Sequence, residues 1–224
     1  MSDNLKACFA EFFATFLLVF VGVGSIIMNT STNGSIGLIG IALAHGLAIF
    51  LGCAITGHIS GAHINPAVTA AMLATRRIGF GLGLAYIASQ LLGALFGASL
   101  LNYAMPLTAA KAAFYGTPML ADGVSFQQGI FLEAVLTFIL VLSIFGSAVD
   151  ARGPKSISSL VIGLAITADI FVGGPITGAA MNPARAFGPA IMSGIFTNHA
   201  VYWIGPMIGG ILGGIVYERM LKKN

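Results

Sequence analysis

The chain is 224 residues long, 57% of them hydrophobic and only 8% charged, with a formal net charge of +3 and a mean hydropathy of +0.96. Soluble domains carry roughly 25% charged residues, so a water-covered globular surface is excluded and a membrane protein is predicted. The charge balance points to no nucleic-acid partner either, because most Lys and Arg lie in short connections between apolar segments.

Residues 9–28 form the first predicted span, long enough at about 1.5 Å per residue to cross a hydrocarbon core of about 30 Å. It carries Glu11 and lacks a small-residue cleavage site, so it reads as a retained helix rather than a signal peptide. The polar run from Asn29 to Ser35 ends it. A second span, 37–56, is expected to break after Thr56, at Gly57 and an irregular stretch from His58 to Ile64. From Asn65 to about Thr75 the helical stretch is too short to cross a bilayer and is predicted to be re-entrant, ending at Arg76 and Arg77 on an aqueous surface. A third span, 80–101, leads into a long polar connection, Asn102 to Gln127, and a fourth covers 129–148. After the charged turn from Asp150 to Lys155 comes a fifth, 157–172, which Gly173-Gly174-Pro175 is expected to break. A second short helix runs from Asn182 to about Met192, and a sixth span covers 200–218. The expected fold is a single all-α transmembrane channel domain over 1–224, with six transmembrane helices and two re-entrant half-helices.

Internal similarity supports two halves, about 7–101 and 128–218. Glu11-x3-Thr15-Phe16-x-Leu18-Val19 is matched 122 residues later by Glu133-x3-Thr137-Phe138-x-Leu140-Val141, and Asn65-Pro66-Ala67 is matched 117 residues later by Asn182-Pro183-Ala184. Three spans per half is an odd number, so the halves are expected to lie in opposite orientation, as an inverted repeat. Lys6, Arg76, Arg77, Arg152, Lys155, Arg219, Lys222 and Lys223 then fall on one side, and the positive-inside bias puts both termini in the cytoplasm of a cell-membrane protein.

Each Asn-Pro pair reads as an N-cap followed by proline at the first helical position, where its missing N–H costs nothing. Both half-helices are expected to start near the bilayer centre, where their free N–H groups, dipole ends and the Asn65 and Asn182 amides face one space. That potential opposes a cation and offers donors to a neutral molecule with an oxygen lone pair. The non-helical stretches before the caps must be buried in protein or line a water-filled path, and Gly178 and Ala180 are candidates to line it through their carbonyls. His58 and His63 are candidates to line a cytoplasmic vestibule, with simple loop bracing the open alternative for each. Glu11 and Glu133 are too costly in apolar spans without partners, and they are expected to hold backbone N–H groups of these irregular stretches.

With these motifs the chain resembles the aquaporin, or major intrinsic protein, family over essentially its full length. The resemblance implies one pore per subunit, a homotetramer in the lipid bilayer, and passive passage of water or small neutral solutes with exclusion of ions and protons. It also implies an outer filter at His45, Ile170, Ala179 and Arg185, found by their distances from Asn65 and Asn182. This set is similar to the plant vacuolar (tonoplast) branch, several members of which pass ammonia, urea or hydrogen peroxide besides water. Ala186 stands where glycerol-conducting members usually carry Asp, which counts against glycerol.

Cys8 and Cys53 form neither a disulfide framework nor a metal-ligand set, and no nucleophile–base pair, metal cluster or cofactor motif suggests an enzyme. Asp169, adjacent to Ile170 but about 100° away on a helix, is expected to brace an outer loop or face a subunit contact. Beside a water channel with some solute passage, two alternatives stay open. One is a selective ammonia, urea or peroxide channel with water secondary, the other a junctional or structural membrane protein with a closed pore.

Overall fold

A computed structural model of the chain describes residues 1–222; Lys223, counted above among the basic residues, lies outside the described residues. Among the described residues the regular structure is entirely helical. Helix α1 (Asp3–Leu18) passes through a π-helical turn, Val19–Val23, into α2 (Gly24–Ser31). Then follow α3 (Gly37–Ser60), the short α4 (Pro66–Ala74) and α5 (Phe80–Ala104). After α6 (Leu107–Ala112) come α7 (Phe126–Ile144), α8 (Ser158–Thr177), the short α9 (Pro183–Ser193) and α10 (Val201–Val216). Among the described residues five stretches are long and apolar enough to cross a membrane, Asp3–Ser31, Gly37–Ser60, Phe80–Ala104, Phe126–Val149 and Lys155–Thr177. The protein is therefore an all-α, multi-span membrane protein.

Two boundaries differ from the sequence-based expectation. Helix α3 does not break at Gly57 but continues through His58 to Ser60, and it stops where Gly61 turns left-handed at φ +85° and donates its N–H to the Gly57 carbonyl. Helix α8 likewise runs through Gly173, Gly174 and Pro175 to Thr177, stopping at Gly178 with φ +84°. Pro175 sits in the last turn, where it forfeits a single backbone hydrogen bond, and the left-handed glycine supplies the actual stop. The connection between α5 and α7 is also less irregular than predicted, since α6 and a 3₁₀ turn, Phe114–Gly116, fold within it.

The short helices are gripped by neighbours rather than exposed: α4 packs on α10, and α9 on α5. These crossings, and those of α5 on α1 and α10 on α7, are tight because glycines let backbones meet. A Cβ on Gly93 would fall 2.2 Å from the Phe12 carbonyl oxygen, and one on Gly209 would fall 2.0 Å from that of Ala134. At the face carrying Arg76 and Arg77, Arg77 pairs with Glu218, and the Asp150 carboxylate accepts from Arg152 and from the Tyr217 hydroxyl. The Arg152 side-chain hydrogen bonds hold Asp150 well below the usual carboxylate range.

Gly209→Val is expected to destabilise the fold by about 1–3 kcal/mol through overpacking. Gly57→Ala, whose new methyl meets nothing within 4 Å, is expected to be neutral or slightly stabilising. Thermal unfolding in detergent measures both, and equal melting temperatures for the two variants would sink the close-approach argument.

Candidate functional site

The chain reverses twice inside the protein, at residues 61–65 and 178–182. Ala62 and Ile64 in the first stretch, and Ala179 and Met181 in the second, adopt left-handed φ of +49°, +60°, +44° and +52°. Such conformations cost of order 1–3 kcal/mol each for residues with a side chain. Three left-handed residues within four positions, Gly61, Ala62 and Ile64 and likewise Gly178, Ala179 and Met181, turn successive N–H groups toward a concave nest suited to an anion. A carboxylate fills each nest. Glu11 accepts from the N–H groups of His63 at 2.9 Å and Ile64 at 2.6 Å, and Glu133 from those of Ala180 at 2.9 Å and Met181 at 2.6 Å. Ser60 and Thr177 donate hydroxyls to the same two carboxylates, each at 2.7 Å. Both glutamates are wholly buried.

From these nests the chain enters α4 and α9 through two equivalent caps. The Asn65 side-chain oxygen accepts from the N–H of Ala67 at 2.8 Å, and that of Asn182 from Ala184 at 3.0 Å and Arg185 at 3.2 Å. Pro66 and Pro183 occupy the first helical position. Each cap also reaches across to the other: the Asn65 amide nitrogen donates to the Met181 carbonyl at 2.8 Å, and that of Asn182 to the Ile64 carbonyl at 3.0 Å. An amide nitrogen carries two hydrogens, so this exchange consumes one and leaves one on each asparagine for the cavity that both line.

That cavity is narrow, about 30 Å³, room for only a few waters at about 10–15 Å³ each. It shares Cys53, His63 and Ile162 with a wider cavity of about 690 Å³ toward the Arg77 face, and His45, Ile170 and Arg185 with one of about 330 Å³ toward the opposite face. Its lining combines apolar side chains, among them Leu18, Ile49, Leu140, Ile144 and Ile166, with the polar His63, Asn65, Asn182 and Arg185.

His45, Ile170, Ala179 and Arg185 all line the narrow cavity, and His45, Ile170 and Arg185 also border the 330 Å³ cavity that adjoins it. Arg185 is 2% exposed; it donates to the Gly116 carbonyl at 2.9 Å, and its Nε has no partner among the described residues. His45 places Nδ1 2.9 Å from the Ile41 carbonyl and Nε2 3.4 Å from the Arg185 guanidinium. Only the neutral ring with the proton on Nδ1 satisfies both contacts, donating to the carbonyl and accepting from the arginine. Ala180 and His63 line the narrow cavity, Gly178 the cavity on the Ile170 side, and His58, on the last turn of α3, the one on the Arg77 side.

Asp169 is buried at 3% exposure, away from any exposed contact, and its Oδ2 has no partner among the described residues. Sequence reasoning assigned no hydrogen-bonding role to several further participants. Gln90, wholly buried, donates to Glu11 at 2.8 Å and to Thr69 at 3.0 Å; Tyr86 and Tyr202 donate to the carbonyls of Ser60 and Thr177, both at 2.9 Å. Gln90 was visible as an amide within an apolar span. Nothing in the sequence marked the Gly116 carbonyl as the brace of Arg185.

The sequence profile of a family described as major intrinsic protein matches residues 1–217. Aquaporin TIP4-4 of Zea mays is 41% identical over 228 residues, covering 98% of this chain and 88% of that protein. Probable aquaporin TIP2-1 of Oryza sativa subsp. japonica is 43% identical over 224 residues, covering 96% and 88%. The X-ray structure of the aquaglyceroporin from Plasmodium falciparum is similar with a TM-score of 0.88 at 27% identity, covering 97% of each chain.

The nest geometry generates a prediction. In Glu133→Gln one acceptor becomes an NH₂ facing donors, and a buried group left unsatisfied costs about 1–3 kcal/mol. A lower melting temperature in detergent is the expected result. An unchanged one would show that the Ala180 and Met181 N–H groups do not depend on the carboxylate.

Proposed function

The chain belongs to the major intrinsic protein family, and from that premise we propose that it is a passive channel for water that also passes small neutral solutes and excludes ions and protons. One observation carries this reading: the narrow cavity lies where two helix N-caps exchange hydrogen bonds, with a wider cavity at each end. A water there accepts from the spare asparagine N–H groups, so its own hydrogens point away along the passage and a proton relay through it is interrupted. A cation meets about half a positive charge at each helix terminus. At 4 Å and an effective dielectric constant of about 20 that amounts to about 2 kcal/mol of repulsion per terminus, before the loss of hydration and the nearby guanidinium of Arg185 are counted. The apolar wall of Leu18, Ile49, Leu140, Ile144 and Ile166 offers the ion no replacement ligands.

In this proposal the chain forms six transmembrane helices, with α10 and the π turn Tyr217–Leu221 that follows it as the sixth, and α4 and α9 are the two re-entrant half-helices. The halves 7–101 and 128–218 are an inverted repeat, both termini are cytoplasmic, and four copies assemble as a homotetramer in the membrane. The matched environments of Glu11 and Glu133 support the repeat, and Arg77 and the basic turn at Arg152 on one face support the orientation. His45, Ile170, Ala179 and Arg185 act as the selectivity filter. Ile170 takes no part in hydrogen bonding there, which favours less polar solutes such as ammonia beside water and motivates the second reading, a channel whose main cargo is ammonia, urea or peroxide.

Stopped-flow light scattering on proteoliposomes is expected to show rapid osmotic shrinkage without a proton current; permeability equal to empty liposomes would overturn the channel. The double variant His45→Phe, Ile170→His is expected to suppress ammonia and urea passage more than water passage. An equal loss of all three fluxes would count against this filter assignment.

A further inference from the structure

The helical stretch from Asp3 to Ser31 widens into a π turn at Val19–Val23. Such turns recur at functional sites, and this one presents Gly22 to the ring of His45. A Cβ on Gly22 would lie 2.6 Å from His45 Cδ2, 2.8 Å from Nε2 and 2.9 Å from Cγ, so the imidazole rests broadside on bare backbone. The Gly22 carbonyl accepts the Ser25 hydroxyl at 2.6 Å. On its other edges the ring meets the Ile41 carbonyl through Nδ1 and the Arg185 guanidinium through Nε2. Gly22 itself lines none of the three cavities along the passage.

The helix carrying Gly22 is also packed tightly against α5. Val19 and Val23 are fully buried on the same turn, and Gly97 of α5 lies so close to this helix that a Cβ there would be 3.0 Å from the Phe16 carbonyl oxygen and 3.1 Å from Val19. Ordinary contact begins at 3.4 Å, so a methyl at position 22 would displace the ring by about 0.8 Å, the difference from 2.6 Å. The unfilled space beside the ring is the passage, since His45 borders both the narrow cavity and the 330 Å³ cavity beyond it.

We propose that Gly22 is a positioning residue for the filter. By having no side chain on the π turn, it seats the His45 imidazole back from the passage and so sets the width available beside Arg185. The proposal rests on the channel reading above, and it adds a specificity determinant that never touches the solute. Solutes wider than water depend most on this setback, so a Cβ at position 22 tightens the filter against them.

The test is Gly22→Ala in proteoliposomes, with water, ammonia and urea permeabilities normalised to the amount of channel. The urea-to-water ratio is expected to fall about tenfold, the lower end of what one methylene of misfit is worth in a shaped site, while water permeability falls less. The same substitution in a His45→Ala background has no ring to displace and is expected to leave that background's ratio unchanged, a non-additivity diagnostic of direct coupling. If Gly22→Ala lowers water and urea by one common factor, or acts equally in both backgrounds, the positioning role is overturned. Should Gly22→Ala not fold alone, its recovery by His45→Ala supports the proposal, and failure in both backgrounds refutes it. A wild type as tight as empty liposomes overturns the channel reading itself, whereas a conducting wild type with an unmoved ratio overturns only Gly22.

Discussion

A backbone that leaves helical form in the interior of a membrane protein must find partners for its amide groups within the protein, because lipid offers none. Glu11 and Glu133 meet that demand, and much else depends on their doing so. Each carboxylate gathers two consecutive N–H groups and a hydroxyl, which holds the strained left-handed residues in place. With the bends held, Asn65 and Asn182 are delivered to their cap positions, and the two caps exchange hydrogen bonds across the centre. The carbonyls of Ile64 and Met181, which receive those bonds, belong to residues whose own N–H groups are bound by the glutamates. The acids and the caps are thus one connected network, and loosening either end loosens both.

The second organising constraint is close approach. Short helices α4 and α9 have too few residues to be stable alone, and they persist because α10 and α5 pack against them. Glycine at the crossings converts apolar helices, which gain little from each other in lipid, into well-packed neighbours through van der Waals contact. The same device serves the passage at Gly22, where absence of a side chain makes room for an imidazole instead of a second helix.

Legibility in the sequence followed the range of the interaction concerned. The caps at Asn65 and Asn182 were readable because an N-cap and a following proline are local rules. The glutamates were readable because a charge in an apolar span requires a partner wherever that partner lies. Helix ends were less readable: Gly57 and Gly173-Gly174-Pro175 looked like breaks, yet the helices continued to Gly61 and Gly178, since glycine keeps its N–H, Pro175 in the last turn forfeits only one hydrogen bond, and the left-handed residue that stops each helix comes later. Gln90 lies 79 residues from the carboxylate that it serves, and no local pattern joins the two.

From composition and pattern alone, the sequence determined that this is a membrane protein, that it is helical, and that two short helices begin with asparagine caps inside apolar surroundings. Those features depend on residue type and on neighbours within a turn or two. Only the tertiary structure decided that the two asparagines reach each other's lead-in carbonyls, that the Gly116 carbonyl braces Arg185, and that a π turn seats His45 on Gly22. Each of these depends on distances between segments far apart in the chain, and a uniformly apolar sequence carries no periodic signal of where its helices cross or where one of them widens by a residue.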